Sequence, residues 1–161
     1  MMSIKETDDK YVAHTYSRFP VELVSGKGAI LRDSSGKEYI DMGSGIAVNI
    51  FGAADKEWIS AVDEQLSKIQ HTSNLYYTEP CSSLAKMLCE RTGMKKVFFS
   101  NSGAEANECA IKAAREYAAL KKGKDYYNII TLKKSFHGRT ITTLAATGQD
   151  VFHEHFTPLT E

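Results

Sequence analysis

The chain has 161 residues, 42% of them hydrophobic and 25% charged, a composition typical of a globular domain that can bury a core. Its 20 basic and 20 acidic residues cancel, so the net charge favours neither a nucleic acid nor an anionic membrane surface as partner. No apolar run approaches the roughly 20 residues of a membrane span, and the first residues lack the apolar segment of a signal peptide. The sequence therefore predicts a cytoplasmic protein with a small-molecule partner.

Neither the cysteines nor the paired histidines indicate a metal or disulfide site. Cys81, Cys89 and Cys109 are an odd number without CxxC spacing, so we expect reduced packing residues. His153 and His155 would share one face of an extended segment. Because no third ligand accompanies them, the sequence favours a solvated pair and predicts no metal site.

The first predicted elements are a hairpin and a helix. Residues 28–42, GAILRDSSGKEYIDM, alternate around Ser34-Ser35-Gly36 and predict a β-hairpin with a short turn. Residues 55–70, DKEWISAVDEQLSKIQ, place apolar side chains at helical spacing behind Asp55, which is a plausible N-cap. The second segment is therefore predicted to form an amphipathic helix.

A loop and a second helix come next. Residues 71–80, HTSNLYYTEP, are polar and aromatic and predict a loop. Residues 80–92 predict a helix, because Leu84 and Leu88 share one face and Gly93 provides a stop signal.

The central unit is predicted to be a strand, a helix and a second strand. Residues 96–100, KVFFS, and residues 126–132, YYNIITL, have the composition of short apolar strands. The helix between them is marked at its start by Ser102 and Glu105, a capping-box pattern, and at its end by Gly123. Strand, helix and strand at this spacing predict a parallel βαβ crossover, and hence an α/β fold.

The stretch FFSNSGAEANE, residues 98–108, leads from the first strand into the helix. Unpaired amides and the helix dipole there are suited to an anion, Gly103 permits close approach, and the Ser102 hydroxyl offers another donor. Two interpretations stay open, a phosphate site and a simple helix cap. Because GxxxxGK[ST] and GxGxxG are absent, no nucleotide site is predicted. We expect Glu105 and Glu108 to point away from an anion or to pair with backbone and basic groups.

A second turn, SFHGRT at residues 135–140, follows the second strand. Ligands of open α/β sheets bind outside the carboxyl ends of the strands, so both turns should border one crevice. There Phe136 would offer a flat apolar face and Arg139 a planar fork for a carboxylate, while His137 is expected to make a supporting hydrogen bond. This combination suggests a phosphorylated aromatic cofactor acting on an amino or keto acid. The alternative, a core Phe136 and a surface Arg139, stays open.

The motifs FFSNSGAEANE, SFHGRT and ATGQ, in this order, resemble those of class III aminotransferases. These are pyridoxal-phosphate-dependent enzymes of fold type I, and the similarity is greatest to the acetylornithine/succinylornithine branch. It extends to RFPVELVSGKGAILRDSSGKEYIDMGSGIAVN and HTSNLYYTEP, so it spans nearly the whole chain. Ornithine and 4-aminobutyrate aminotransferases are relatives, but SNLYYTEP and SFHGRT favour the acetylornithine type.

The resemblance implies a fold and an activity. Residues 1–50 would form an N-terminal segment with a β-hairpin, and residues 51–161 an incomplete pyridoxal-phosphate-binding large domain with a parallel βαβ core. The complete enzyme would move an amino group from N-acetylornithine to 2-oxoglutarate in arginine and lysine biosynthesis. It would act on a small amino acid and a 2-oxo acid as a cytoplasmic homodimer.

Motif positions also imply residue roles. Ser102, Gly103 and Ala104 would bind the phosphate of pyridoxal 5'-phosphate, chiefly through the Gly103 and Ala104 backbone. Phe136 would stack on its pyridine ring, and Arg139 would bind the substrate α-carboxylate.

Three further residues come from the N-terminal half of the resemblance. Tyr16 is similar to an active-site tyrosine near the substrate, although a packing role is left open. Asn74 and Tyr76 would lie near the partner's active site in a dimer.

The sequence also departs from the family. Relatives have LGHxHP where this chain has FGAAD, residues 51–55, which puts the local loop and the substrate selectivity in question. The resemblance places the Schiff-base lysine, the aspartate that pairs with the pyridine nitrogen and the small domain beyond these residues, and Lys133 and Lys134 are not expected to substitute. The isolated chain is thus expected to be inactive and to expose apolar surfaces that promote dimerisation or aggregation. The alternatives are a non-catalytic dimerisation fragment or split-enzyme half, a related ornithine or 4-aminobutyrate aminotransferase, and an unrelated phosphate-binding α/β module.

Overall fold

The computed structural model describes residues 2–160, which divide into two compact units, the first ending at Tyr76 and the second beginning at Tyr77. The sequence-based division after residue 50 stays a prediction. Within the described residues, no helix has both the length and the apolar character needed to cross a bilayer.

The first unit contains three helical segments and one small sheet. Its elements in chain order are α1 Ile4–Tyr11, β1 Leu23–Lys27, β2 Ile30–Asp33, β3 Glu38–Ile40, α2 Ser44–Ala47 and α3 Lys56–Lys68. The short α2 is a left-handed turn, because all four of its residues have positive φ between 45° and 60°. The sequence did not predict α1, although Ser3 and Glu6 form a full capping box at its start.

The sheet has the order β1-β2-β3 and is antiparallel throughout. Its β2–β3 pair, with Leu31 opposite Tyr39, confirms the predicted hairpin, whereas β1 is an additional strand. The carboxylate of Asp33 organises the turn by accepting hydrogen bonds from the Ser35 amide and hydroxyl, the Lys37 amide and the Tyr39 hydroxyl. These bonds, with that of the Ser35 hydroxyl foremost, lower the pKa of Asp33 to about 2.

The helix α3 confirms the second sequence prediction. Asp55 is its N-cap, with the carboxylate accepting a hydrogen bond from the Trp58 amide at 2.8 Å. Asp55 also ends the FGAAD segment, residues 51–55. In that segment Ala53 exchanges two backbone hydrogen bonds of 2.8 Å with Gly28, so this loop is tied to the turn between β1 and β2.

The second unit is helical, with α4 Glu79–Thr92, α5 Gly103–Lys121, α6 Ile141–Ala146 and a 3-10 helix at Asp150–Phe152. The helices α4 and α5 match the two helices that the sequence predicts in this part of the chain. Gly93 terminates α4 with φ 74°, a left-handed conformation that glycine adopts without strain.

The predicted parallel pairing of residues 96–100 and 126–132 is not found. Within residues 2–160 the single sheet is the antiparallel one of the first unit, and neither apolar segment forms a ladder. Composition can indicate that a segment suits a strand, but a ladder also needs a neighbouring strand whose amides and carbonyls face it. The described residues supply no such neighbour to either segment.

The small core of the second unit surrounds α6. Among the described residues, only the side chains of Thr143, Leu144 and Thr147 are buried. The apolar segment 126–132 is largely uncovered, with Ile130 95% and Leu132 79% exposed. This exposure agrees with the expectation of uncovered apolar surface.

The three cysteines have free thiols. Cys89 and Cys109 are half-buried, but Cys81 is exposed, so a packing role for Cys81 is wrong for this structure. Its position near the solvent-facing start of α4 explains the difference.

Candidate functional site

The start of α5 presents backbone donors to an open space. Ser102 is the N-cap, with its hydroxyl accepting the Glu105 amide at 3.2 Å and its carbonyl accepting the Ala106 amide at 3.0 Å. Within residues 2–160, the amides of Gly103 and Ala104 have no protein acceptor, as expected for the first two positions of a helix. A Cβ placed on Gly103 would meet no atom within 4 Å. A ligand can therefore approach this backbone closely.

The Ser102 hydroxyl is used within the protein. It donates to the Glu105 carboxylate at 3.0 Å while accepting the Glu105 amide, so the predicted capping box is only half formed. The carboxylates of Glu105 and Glu108 accept hydrogen bonds from the hydroxyls of Ser102 and Thr140, respectively, and not from the backbone or basic groups that the sequence predicted as partners. The Gly103 and Ala104 amides are consequently the main donors that this turn offers to an anion.

The two sequence-predicted turns are in direct contact. Gly138, buried and with φ 135°, lies so close to α5 that an added Cβ would stand 2.7 Å from the Ala104 Cβ and 2.5 Å from the Thr143 Oγ1. The Asn107 amide side chain, one turn further along α5, donates to the His137 carbonyl at 2.8 Å. The predicted proximity of the SGA and SFHGRT turns is therefore confirmed.

Buried threonines hold the SFHGRT turn in place. The Thr147 hydroxyl accepts the His137 amide at 3.0 Å and lies within donating distance of the carbonyls of Thr143, at 2.9 Å, and Gly138, at 3.1 Å. Thr140 and Thr143 form a capping box at the start of α6. Sequence reasoning missed Thr143 and Thr147, whose roles depend on contacts that only folding creates. The capping box at α6 also has Thr143 where Glu or Gln is usual, so its sequence pattern is harder to recognise.

Phe136 and Arg139 both lie beside Phe152. Phe136 is 55% exposed, so the alternative that it is a core residue is wrong for this chain. Its ring meets that of Phe152 edge to face, with centroids 5.8 Å apart. The Cζ of Arg139 stands 5.1 Å from the same Phe152 centroid, within cation–π distance. The sequence did not indicate Phe152, which follows the turn by more than ten residues.

The histidines of this unit have modest roles. The Nδ1 of His137 is 3.4 Å from the Ser135 hydroxyl, a long version of the predicted supporting hydrogen bond. His153 Nε2 is 3.0 Å from the Leu144 carbonyl, and His155 lies 3.6 Å from Glu154. Across residues 2–160, no group of three or more His, Cys, Asp or Glu side chains is arranged to hold a metal ion.

Tyr16, Asn74 and Tyr76 belong to the first unit, and all three are exposed. Tyr16 lines a cavity of about 630 Å³ together with Arg18 and Phe19. Substrate binding by Tyr16 and interface roles for Asn74 and Tyr76 stay predictions.

Comparison with known proteins gives a consistent set of relatives. The family model described as Aminotransferase class-III matches residues 11–161. The acetylornithine aminotransferase of Haemophilus ducreyi is 55% identical over 98% of this chain and 40% of its own length. That of Caldanaerobacter subterraneus subsp. tengcongensis is 49% identical, over 94% of this chain and 39% of its own length.

Solved aminotransferase structures contain a region with the same fold as this chain. An adenosylmethionine-8-amino-7-oxononanoate aminotransferase from Methanocaldococcus jannaschii superposes with a TM-score of 0.89 at 35% identity, covering 96% of this chain and 37% of that one. An ornithine aminotransferase from Toxoplasma gondii, described with partial occupancy of PLP at its active site, gives a TM-score of 0.83 at 28% identity. Its match covers 96% of this chain and 37% of that protein. The present chain thus spans about two-fifths of the length of such relatives.

Proposed function

Because the chain belongs to the class-III aminotransferase family, we propose that it supplies the phosphate- and carboxylate-binding part of an acetylornithine-type transaminase. Pyridoxal 5'-phosphate is the proposed cofactor. The observation that carries this proposal is the contact between Gly138 and Ala104, which sets the open start of α5 beside the turn bearing Phe136 and Arg139.

The residues at the start of α5 fit a cofactor phosphate. The Gly103 and Ala104 amides are at the positive end of a 19-residue helix, and the space above Gly103 is open. Each hydrogen bond to a charged group contributes roughly 1.5 to 3 kcal/mol. Two such donors are therefore expected to hold the phosphate, with Ser102 adding a third when its hydroxyl leaves Glu105.

Phe136 and Arg139 supply complementary chemistry. The exposed Phe136 ring can cover one face of a planar aromatic ring, and the Arg139 guanidinium matches a carboxylate in charge and geometry. When bound, pyridoxal phosphate supplies the electron sink that lets an amino group move between an amino acid and a 2-oxo acid. In this proposal the chain's own residues anchor the phosphate, position the ring and hold the substrate carboxylate.

The activity of the whole protein is part of the proposal. The curated relatives named above are acetylornithine aminotransferases, which supports N-acetylornithine as amino donor, 2-oxoglutarate as acceptor and a place in arginine biosynthesis. We propose that the 161 residues alone do not catalyse transamination. The family resemblance identifies none of their lysines as the one that carries the cofactor. A homodimer, with Asn74 and Tyr76 at its interface, and a cytoplasmic location complete the proposal.

Removal of a single amide tests the phosphate site. Gly103 is the first residue of α5, where proline is well accepted because its missing N–H has no helical partner. Ser102 already has the extended conformation that precedes proline, with φ −149° and ψ 160°. Gly103→Pro should therefore weaken pyridoxal phosphate binding about ten- to a hundredfold while leaving the helix content by circular dichroism unchanged.

The matched control is Gly103→Ala, which adds a Cβ to open space but keeps the N–H. Binding is measured by the absorbance and fluorescence of pyridoxal phosphate, with inorganic phosphate as competitor. Equal affinity of both variants, or tighter binding of nucleotides and sugar phosphates than of pyridoxal phosphate, would refute the proposed site.

A further inference from the structure

Phe152 contacts both of the side chains that the proposed function assigns to cofactor and substrate. Its ring makes an edge-to-face contact with Phe136, at an interplanar angle of 68°, and supports the Arg139 guanidinium carbon at 5.1 Å. The Phe152 ring therefore contacts both Phe136, which is proposed to stack on the cofactor, and Arg139, which is proposed to bind the substrate carboxylate.

The backbone leading to Phe152 is anchored to the start of the SFHGRT turn. The Gly148 carbonyl accepts the Lys134 amide at 2.7 Å, and the Gly148 amide donates to the Ser135 carbonyl at 3.0 Å. The Gln149 side chain adds a donor to the same Ser135 carbonyl at 3.3 Å. Phe152 then closes the 3-10 helix with its amide bonded to the Gln149 carbonyl at 3.0 Å.

This anchoring requires the close approach of Gly148. A Cβ at that position would stand 2.6 Å from the Leu132 carbonyl oxygen and 2.8 Å from the Lys134 nitrogen, distances that a real Cβ does not adopt. Gly148 and Gln149, which lead into the 3-10 helix, are therefore held against residues 132–135, and this contact fixes where the helix that carries Phe152 begins.

We propose that Phe152 is a positioning residue that sets the orientation of Phe136 and Arg139 for the cofactor ring and the substrate carboxylate. The inference rests on the proposed function and adds a residue to it. A phenyl ring accepts no conventional hydrogen bond, so its contact restrains the guanidinium without replacing carboxylate oxygens as partners. The edge-to-face contact likewise leaves a face of Phe136 for another ring.

The test compares Phe152→Ala, Phe152→Tyr and the control Val151→Ala, which lies in the same 3-10 helix and is 72% exposed. The affinities for pyridoxal phosphate and for inorganic phosphate are measured separately for each variant of the chain. Phe152→Ala should weaken pyridoxal phosphate binding several-fold, up to about tenfold, without changing phosphate affinity. Phe152→Tyr, which keeps the ring, and Val151→Ala should both behave as the unsubstituted chain.

A second readout does not depend on cofactor binding. The ring current of Phe152 should shift the side-chain Nε–Hε NMR signal of Arg139, and this shift should disappear in Phe152→Ala but persist in Val151→Ala. If the unsubstituted chain binds no pyridoxal phosphate, the proposed function fails, and the NMR signal alone decides on the positioning role. An unchanged Arg139 signal in Phe152→Ala would overturn the inference, as would an equal loss of phosphate and pyridoxal phosphate binding.

Discussion

Gly138 fits against Ala104 so tightly that no side chain can stand between them, with a hypothetical Gly138 Cβ 2.7 Å from the Ala104 Cβ. The two residues are far apart in sequence, yet each belongs to one of the turns that carry the proposed site. The contact brings the start of α5 beside the SFHGRT turn. Backbone geometry at Gly138 is therefore as important to the site as any ligand-binding side chain.

Gly138→Ala should destabilise the protein by about 2 to 4 kcal/mol. The φ of 135° is unfavourable for an L side chain, and the new Cβ would also collide with the Thr143 hydroxyl and Ala104. Gly123→Ala is the control, because Gly123 has a similar φ of 120° but open space around its Cβ. The free energy of unfolding of each variant, measured in urea, separates backbone strain from crowding. Equal losses of unfolding free energy in the two variants would show that the Ala104 contact is unimportant.

Thr147→Val should cost about 1 to 3 kcal/mol although it preserves the shape of the side chain. The exchange removes the acceptor of the His137 amide and the donor to the Gly138 and Thr143 carbonyls, in a buried place. Amide hydrogen exchange at His137 should accelerate in step with the loss of stability. Thr147→Ser keeps the hydroxyl and should retain most of the protection, as should Thr142→Val in α6, the helix that Thr147 caps. Slow exchange in Thr147→Val would contradict the prediction.

The Asp33 turn should make a pH-dependent contribution to the stability of the first unit. Because hydrogen bonds lower the folded-state pKa of Asp33 from 3.8 to about 2, the carboxylate stabilises the fold fully above pH 3.8. That contribution is lost as the pH falls from 3.8 towards 2. A carbon-detected NMR titration measures the pKa directly, and Ser35→Ala should raise it more than Tyr39→Phe does. A normal pKa for Asp33 would disprove this account of the turn.

Glu105→Gln should tighten phosphate binding about two- to fivefold while lowering stability by roughly 0.3 to 1 kcal/mol. In the unsubstituted chain the Glu105 carboxylate interacts with the positive end of α5 and with the Ser102 hydroxyl. It therefore competes with an anion that binds there. Glutamine keeps an oxygen for Ser102 but not the charge. Calorimetric titration with phosphate compares this variant with Glu116→Gln, a change further along the same helix, and similar affinities in the two would rule out competition by Glu105.

Local patterns were sufficient for most of the helices and for the hairpin. Asp55, Gly93 and Ser102 mark helix ends through hydrogen bonds or dihedral angles that involve residues only a few positions away. The same holds for the turn that Asp33 organises. Such interactions operate wherever the segment is placed, so the sequence alone was enough to predict them.

The parallel ladder shows where local patterns stop being sufficient. Residues 96–100 and 126–132 are apolar enough for strands, but no neighbour within the described chain completes their hydrogen bonds. The helix α1 shows the converse: Ser3 and Glu6 form its capping box, but the eight residues IKETDDKY are too polar to show the apolar periodicity that predicts a helix.

Residue order therefore determined the helix ends, the hairpin turn and the donors exposed at Gly103. Tertiary structure alone decided that Gly138 would meet Ala104 and that Phe152 would contact both Phe136 and Arg139. The physical reason is range: a cap or a turn is completed within a few residues, whereas these contacts join segments that only the folded backbone brings within van der Waals distance.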